Sequence, residues 1–214
     1  MRDLGMIFND RYDAGIQLAE ALQIYKNNKN VVVVAIPRGG LQIGAAIVKE
    51  LSLPLDVVLI KKIGHPHNPE FAIGAVGLES YVVEPEFLTS PTIVDYLEKE
   101  IVRLRALLKL RSEQYHRSKS PIALQDKIVI LCDDGVATGH TMIASIKVIR
   151  SQNPEKIIVA IPVAVPDALL QIEELADEVI CLQRPVSFSG VSQYYRHFAQ
   201  VDDEQAISEL EGAL

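Results

Sequence analysis

The sequence predicts an α/β fold built on a doubly wound, mainly parallel, five-stranded sheet. Five short apolar runs recur along the chain, and helical stretches lie between most of them. Most of the runs are continuously apolar rather than alternating, which is typical of strands covered on both faces. The alternation of such strands with helices indicates parallel pairing through crossover helices. The five runs are residues 31–36, 55–60, 127–131, 156–163 and 178–182.

Helices are expected before, between and after these strands. Pro166 and Asp167 are start signals for the helix that follows the fourth strand. The opening and closing helices would complete the layers on the two faces of the sheet. The expected helices span about 10–25, 41–51, 141–152, 167–175 and the residues after Asp202.

One long segment interrupts this alternation, because residues 63–125 are too many for a simple crossover. Its first part is rich in glycine and proline and indicates a loop over 65–69 followed by a small hairpin over 72–83. Its second part has apolar residues at helical spacing from 93 to 108, which predicts a long amphipathic helix. We interpret 63–125 as a flap on the sheet. We expect residues 64–80 to form a mobile lid, because they contain little continuous apolar sequence.

Composition restricts the class of protein. The 214 residues fit a single domain over 1–214, and 21 basic against 28 acidic residues give a net charge of −7, which argues against binding of nucleic acid or an anionic membrane. Cys132 and Cys181 lie among apolar residues, as reduced core cysteines do. No apolar run approaches the ~20 residues of a membrane span. The first residues, with Asp3 and Asp10, do not resemble a signal peptide. We therefore expect a cytoplasmic protein.

Candidate binding residues follow the predicted strands, where open α/β sheets bind ligands. Cations, glycines, hydroxyls and a carboxylate pair would meet at this one edge of the sheet. That mixture suits an anionic, hydroxylated and phosphorylated ligand. The segments are 37–40, 61–64, 133–141 and 183–185.

The segment after the third strand is the most informative of these. A small, hydroxyl-rich turn leads into a helix N-terminus, where free backbone N–H groups can bind a phosphate. Thr138 and Thr141 would add hydroxyl donors. Asp133 and Asp134 would repel a phosphate and are better suited to the two hydroxyls of a ribose. The turn lacks the Gly-Lys-Ser/Thr ending of a P-loop, and no dinucleotide-binding glycine pattern follows any strand.

Residues 128–141 resemble the phosphoribosyl pyrophosphate (PRPP) signature of type I phosphoribosyltransferases. The signature has four apolar strand residues, two acids, two apolar positions and then small or hydroxylic residues around a glycine. Further stretches resemble a bacterial and archaeal group of predicted phosphoribosyltransferases whose acceptor is unassigned. They are FNDRYDAG at 8–15, PRGG at 37–40, KKIG at 61–64, NPEFAIGAV at 68–76 and Tyr194-Tyr195. The resemblance covers nearly the whole chain.

The resemblance implies transfer of a phosphoribosyl group from PRPP to a small nitrogenous acceptor, with release of pyrophosphate. It implies Mg²⁺ bound mainly through PRPP, with no protein metal ligand, and it leaves room for a homodimer. Arg38 and Gly39 would form the pyrophosphate loop, and Lys62 would reach the same leaving group. Residues of about 183–200 would form a hood over the acceptor. The 5′-phosphate would lie on Ala137, Thr138, Gly139, His140 and Thr141, and the ribose hydroxyls on Asp133 and Asp134.

Some positions leave alternatives open. Gly135 stands where a bulkier apolar residue is usual in the family. We call residues 137–141, the expected 5′-phosphate site, the cradle; the imidazole of His140 either points away from it or touches the phosphate. Tyr194-Tyr195 either stacks on an acceptor ring or packs the hood. His65 and His67 have metal-ligand spacing without an evident third ligand, so no metal site is expected.

Two other functions remain as alternatives. The first is a PRPP- or nucleotide-sensing regulator that keeps the site without turnover. The second is a phosphohydrolase with Asp133 as nucleophile, which is weaker because a second carboxylate two positions on is missing. Measurement of turnover separates the transferase from the regulator.

Overall fold

The computed structural model describes residues 7–213, apart from the side chain of Glu70. Residues 1–6, including the Asp3 used in the signal-peptide argument, and Leu214 lie outside this range. The strands are β1 (Val31–Ala35), β2 (Leu55–Val57), β3 (Lys61–His65), β4 (Asn68–Val76), β5 (Tyr81–Val83), β6 (Ile128–Cys132), β7 (Lys156–Val163) and β8 (Glu178–Gln183).

The main sheet has the strand order β2-β1-β6-β7-β8, and every neighbouring pair is parallel. The predicted doubly wound, five-stranded α/β fold is therefore confirmed. Two strands end earlier than expected. The first apolar run, 31–36, forms β1 only to Ala35, and the second, 55–60, forms β2 only to Val57. The Val58 backbone N still donates to the Ala35 carbonyl at 3.0 Å, and the chain then continues into the flap.

Six α-helices and three short 3-10 helices, the latter over Gln23–Tyr25, Pro85–Thr89 and Val191–Tyr194, complete the described part of the fold. The α-helices are α1 (Arg11–Ala21), α2 (Gly40–Leu51), α3 (Pro91–Tyr115), α4 (His140–Arg150), α5 (Pro166–Glu173) and α6 (Asp203–Gly212). The Asp10 carboxylate caps α1 by accepting a hydrogen bond from the backbone N of Asp13 at 2.9 Å. Within residues 7–213, none of these helices is both long enough and apolar enough to cross a membrane.

Both faces of the parallel sheet are buried, which explains its continuously apolar strands. Val31 and Val33 of β1 belong to a core shared with α1, α2 and α6. Val32 and Val34 belong to a second core shared with α4 and α5. Successive residues of one strand thus face different helix layers.

The flap begins with an antiparallel sheet of order β3-β4-β5. The predicted loop over 65–69 is wrong, because β3 and β4 run through most of it and only Pro66 and His67 form the turn between them. The mobile lid over 64–80 stays a prediction, but part of the segment is packed on the rest of the protein. Ile63, Ile73 and Val76 are fully buried and belong to the main core.

The predicted long amphipathic helix is confirmed as α3. Its buried residues Leu97, Ile101, Leu104 and Leu108 lie in the same core as the buried residues of β3 and β4. The Tyr96 hydroxyl donates a hydrogen bond to the Gly64 carbonyl at 2.9 Å, which connects α3 to β3. The helix therefore supports the antiparallel sheet from one side.

The two ends of the flap meet at the buried carboxylate of Asp56 in β2. Its Oδ1 lies 2.8 Å from His116 Nε2, just after α3, and its Oδ2 accepts a hydrogen bond from the backbone N of Ile122 at 2.6 Å. Lys119 Nζ donates to the Leu55 carbonyl at 2.7 Å. We call this group of contacts the flap neck. It holds the start and the end of the insertion together.

Candidate active site

The carboxyl ends of β1 and β6 meet at the point where the strand order reverses. From β1 the chain crosses to β2 on one side and later returns to β6 on the other. The two strands end at the same level, because Ala35 pairs with Cys132 and the Ile36 backbone N donates to the Cys132 carbonyl at 2.9 Å. Loops 37–40 and 133–141 therefore emerge side by side, at the usual ligand site of such a sheet.

The predicted pyrophosphate loop, Arg38 and Gly39, packs directly on Asp133 and Asp134, which we call the acid pair. A Cβ atom at Gly39 would overlap the Asp134 carboxylate, and one at Gly40 would lie 3.2 Å from the Asp133 Oδ1. A side chain at Gly39 would therefore have to displace the Asp134 carboxylate, and one at Gly40 would need a small shift of the neighbouring loop. Arg38 is half-buried beside them, and the Pro37–Arg38 peptide bond is cis. The structure brings Arg38, Gly39, Asp133 and Asp134 together.

The two carboxyl groups of the acid pair have different surroundings. Burial raises the pKa of Asp133 well above 3.8, and the nearby charge of Asp134 raises it further. Burial also raises the pKa of Asp134, but a hydrogen bond from Arg11 and its charge oppose that rise. Asp133 Oδ1 accepts a hydrogen bond from the Asp134 backbone N at 2.8 Å. The pair therefore holds protons more tightly than two exposed aspartates would.

Arg11 and Tyr195 contact the acid pair, a contact that the sequence predicts for neither residue. Arg11 Nε donates to Asp134 Oδ2 at 2.7 Å, and the Tyr195 hydroxyl donates to the Asp134 carbonyl at 2.6 Å. One signal could have revealed Arg11. It lies on the same helix face as the buried Ala14 and Leu18, where a cation needs a partner.

The turn at 135–139 forms the start of α4 as the sequence predicted. Val136 fixes it to the end of β7 by donating to the Val163 carbonyl at 2.9 Å. Gly139 has φ +79°, a left-handed conformation that favours glycine. No described side chain caps α4, so its first N–H groups are available to an anion. Ala137, Thr138, His140 and Thr141 are exposed around this N-terminus.

The hood, residues 183–200, accounts for the unusual glycine at position 135. A Cβ at Gly135 would lie 2.6 Å from Val191 Cγ1, so the valine of the hood fills the space of the missing side chain. Tyr194 and Tyr195 are both buried; Tyr194 stacks on Phe188 with ring centroids 5.7 Å apart, and Tyr195 packs between Phe8 and Phe198. The two tyrosines pack the hood in this structure.

Lys62 lies on the flap side of the cradle. It lines a cavity of about 490 Å³ together with His140 and Thr141, and Arg38 does not form part of that wall. The exposed ring of Phe71, at the flap tip, lines the same cavity. The structure therefore places Lys62 and His140 on the wall of one cavity, at the start of α4. The predicted contact of Lys62 with the leaving group stays a prediction.

No resident metal site is found in the part of the chain that the structure describes. Among residues 7–213 there is no group of three or more His, Cys, Asp or Glu side chains that could hold an ion. His65 and His67 lie near each other, with ring centroids 5.7 Å apart, but form part of an aromatic cluster with Phe71 and Phe87.

Comparison with known proteins agrees with this architecture. The family model described as "Phosphoribosyl transferase domain" matches residues 7–197. A solved structure from Thermus thermophilus, that of TT1426, is 40% identical and superposes with a TM-score of 0.86. The similarity covers 96% of this chain and 98% of that one.

Two Mycobacterium tuberculosis proteins, from strains CDC 1551 and H37Rv, are each 36% identical over 209 residues, and both carry provisional names as phosphoribosyl transferases. The similarity covers 97% of this chain but 47% of theirs, so the chain spans about half the length of these curated relatives. The match of the family model across the acid pair, the cradle and the glycine loop shows that this chain belongs to the phosphoribosyl transferase domain family.

Proposed function

We propose that the protein transfers the phosphoribosyl group of PRPP to a nitrogen of a small heterocyclic acceptor and releases pyrophosphate. The observation that carries the proposal is the position of the Asp133–Asp134 pair, between the uncapped start of α4 and the Arg38–Gly39 loop. PRPP has the matching order: its ribose hydroxyls lie between the 5′-phosphate at one end and the pyrophosphate at the other. A cytoplasmic role in nucleotide metabolism belongs to the same proposal.

Each part of the substrate has a proposed partner. The N–H groups at the start of α4, with Thr138 and Thr141, bind the 5′-phosphate. Asp133 and Asp134 accept hydrogen bonds from the ribose hydroxyls. Arg38 and the backbone at Gly39 bind the pyrophosphate, and Lys62 adds positive charge from the flap. These contacts position the anomeric carbon and stabilise the charge that moves onto the leaving group.

The reaction breaks the bond from the anomeric carbon to pyrophosphate and forms a bond to the acceptor nitrogen, with inversion. The nitrogen lone pair forms the new bond, and the pyrophosphate leaves with the electrons of the old one. Since the chain has no metal cluster of its own among residues 7–213, we treat Mg²⁺ as part of the substrate complex. When bound there, Mg²⁺ would neutralise pyrophosphate charge while keeping several water ligands.

Release of pyrophosphate tests the proposal. Purine, pyrimidine and pyridine bases would be screened with PRPP and Mg²⁺, with the Asp133→Asn/Asp134→Asn double variant as the inactive control. We expect release with one acceptor class by the unaltered protein only. Tight PRPP binding with no release for any acceptor would favour the PRPP-sensing regulator instead. Failure to bind PRPP at all would contradict both functions.

A further inference from the structure

Arg11 is a buried cation on the apolar face of α1. Its side chain is 7% exposed, and its neighbours on that face are the fully buried Ala14 and Leu18. Placing a guanidinium in such surroundings is unfavourable unless its N–H groups are hydrogen-bonded and its charge is paired. The contacts that satisfy Arg11 therefore show what the residue holds in place.

Three contacts of Arg11 connect parts of the chain that are far apart in sequence. Nε donates to Asp134 Oδ2 at 2.7 Å, and Nη1 donates to the Ala199 carbonyl at 2.8 Å. The guanidinium carbon lies 3.7 Å above the centroid of the Phe198 ring. The first contact reaches the acid pair and the other two reach the hood. A planar group with donors in different directions can make all three at once, which an ammonium group cannot.

The segment around Arg11 makes further contacts with the hood. The Phe8 backbone N donates to the Tyr194 carbonyl, and the Arg196 backbone N donates back to the Phe8 carbonyl, both at 2.9 Å. The His197 backbone N donates to the Asn9 carbonyl at 2.9 Å. The family resemblance includes FNDRYDAG at 8–15 but implies no role for this segment. Its first residues pair with the hood, and its arginine joins the hood to the acid pair.

The Arg11 contact occupies only one of the two oxygens of the Asp134 carboxylate. Oδ2 is held by Arg11, so the orientation of the carboxylate is fixed and Oδ1 is left for a ligand hydroxyl. Asp133 has no described ion-pair partner of its own, and its Oδ1 bonds to the Asp134 backbone N. The other titratable groups that face the pair are Tyr195 in the hood and Cys132 in β6, both held neutral because burial raises their pKa.

We propose that Arg11 is a positioning residue of the active site, which orients the Asp134 carboxylate for the ribose hydroxyls and fastens the hood beside it. The inference rests on the proposed use of PRPP. Without Arg11, Asp134 would be free to rotate and to keep its proton to higher pH, and the hood would lose its connection to the acid pair. Binding of the ribose part of a ligand would suffer, whereas binding of pyrophosphate alone would not.

The test compares Arg11→Gln and Arg11→Lys with a matched control, Arg150→Gln. Arg150 also donates to a carboxylate and a carbonyl, on Asp177 at 2.8 Å and Leu175 at 3.0 Å, but it lies at the last residue of α4. Calorimetry would measure the Kd of ribose 5-phosphate and of Mg²⁺-pyrophosphate for each variant, and the Kd of PRPP as a function of pH.

For Arg11→Gln we expect ribose 5-phosphate to bind at least tenfold more weakly while the Kd of Mg²⁺-pyrophosphate is unchanged. The pH at which PRPP binding is half-maximal should rise, because the Arg11 charge lowers the pKa of both aspartates. Arg11→Lys should recover the pH midpoint more than the affinity, since lysine restores the charge but not the geometry. Arg150→Gln should match the unaltered protein in every measurement.

The outcomes separate this inference from the proposed function. If the unaltered protein binds no PRPP, the proposed function fails. If it binds PRPP and Arg11→Gln keeps its ribose 5-phosphate affinity, or loses pyrophosphate equally, the positioning role of Arg11 alone is overturned. Should Arg11→Gln not fold, Arg11→Lys and Phe198→Leu carry the test. Each should weaken ribose 5-phosphate severalfold, and unchanged affinity in both would overturn the inference.

Discussion

The hood contacts the acid pair and the flap contacts the second half of α4, where Glu84 pairs with Lys147 and Ser80 donates to the Val148 carbonyl. The two segments are attached to the parallel sheet in different ways. The hood is joined to the N-terminal segment by backbone hydrogen bonds, and Tyr195 bonds directly to the Asp134 carbonyl. The flap forms a second sheet that shares no strand with the first. Its core residues are buried at the base, while His67, Asn68 and Phe71 at the tip are exposed.

The different attachment of the hood and the flap indicates which part of the site is preformed. The hood and the acid pair are held by the same contacts, so their relative position is set before a ligand arrives. The flap tip has an exposed aromatic ring and few buried groups, which is typical of a segment that opens locally at low cost. Ligand binding should therefore change the tip more than the hood.

The largest effect is expected from the acid pair. In Asp133→Asn/Asp134→Asn, two charged hydrogen bonds to the ribose become neutral, at a cost of about 1.5–3 kcal/mol each. PRPP affinity measured by calorimetry should fall at least a hundredfold. Pyrophosphate affinity should change little, and an unchanged PRPP affinity would show that the ribose lies elsewhere.

Hydrogen exchange tests the comparison of hood and flap directly. In the free protein, we expect the Arg196 and His197 amides, which donate to the Phe8 and Asn9 carbonyls, to exchange about a hundredfold more slowly than those of residues 67–72. The exposed tip of the antiparallel sheet should open locally at a lower free-energy cost than the hood. PRPP with Mg²⁺ should slow the tip and leave the hood unchanged. Equal protection of both segments without ligand would contradict the difference described here.

The two neighbouring lysines of β3 provide a matched pair for the flap. Successive residues of a strand face opposite sides, and Lys62 lines the cavity beside Thr141 whereas Lys61 does not. Lys62→Met should slow pyrophosphate release by about tenfold, since a cation near the leaving group is lost. Lys61→Met should have no effect, and equal rates for the two variants would mean that the flap supplies no charge.

A smaller effect is expected at the cradle. Thr138→Val removes one neutral hydroxyl donor, worth about 1 kcal/mol or roughly a fivefold loss of affinity. Ribose 5-phosphate should weaken by that amount, and pyrophosphate should not. The same loss for both ligands would place the pyrophosphate, not the 5′-phosphate, at the start of α4.

The smallest effect concerns stability and pH. The pKa of Asp133 is raised above that of the unfolded chain, so the folded protein binds this proton more tightly. The free energy of unfolding should therefore fall as pH rises from about 4 through the raised pKa, while PRPP affinity should increase over the same range. Chemical denaturation and calorimetry at several pH values would measure the two opposite trends, and parallel trends would contradict the assignment.

The sequence predicted the sheet well, because strands buried on both faces leave long apolar runs such as 156–163. It predicted the helix start after β6, because small residues, hydroxyls and a glycine follow an apolar strand within one short segment. The binding of a phosphate there stays a prediction. It misjudged residues 65–69, since Pro66 signals a turn but does not reveal how short that turn is. It gave no role to Arg11, whose partner Asp134 is 123 positions away. Contacts of that range leave no local pattern in the sequence.

The packing of Val191 against Gly135 is a second contact that the sequence could not predict. The sequence marked the glycine as unusual, but only the folded chain shows that a hood valine fills the vacant volume. A side chain missing at one position and supplied from 56 residues further on cannot be identified from either segment alone.

The flap neck has a consequence for how freely the insertion can change its length. Asp56 contacts both the His116 ring and the Ile122 backbone N. The insertion that runs from Asp56 to His116 therefore starts and ends at nearly the same point. Once a loop is closed in this way, doubling its length costs only about 0.6 kcal/mol of chain entropy. Residues could thus be added to or removed from the insertion, beyond the neck, without altering the register of the parallel sheet. New flaps could be grafted at this neck while the binding edge of β1 and β6 stays intact.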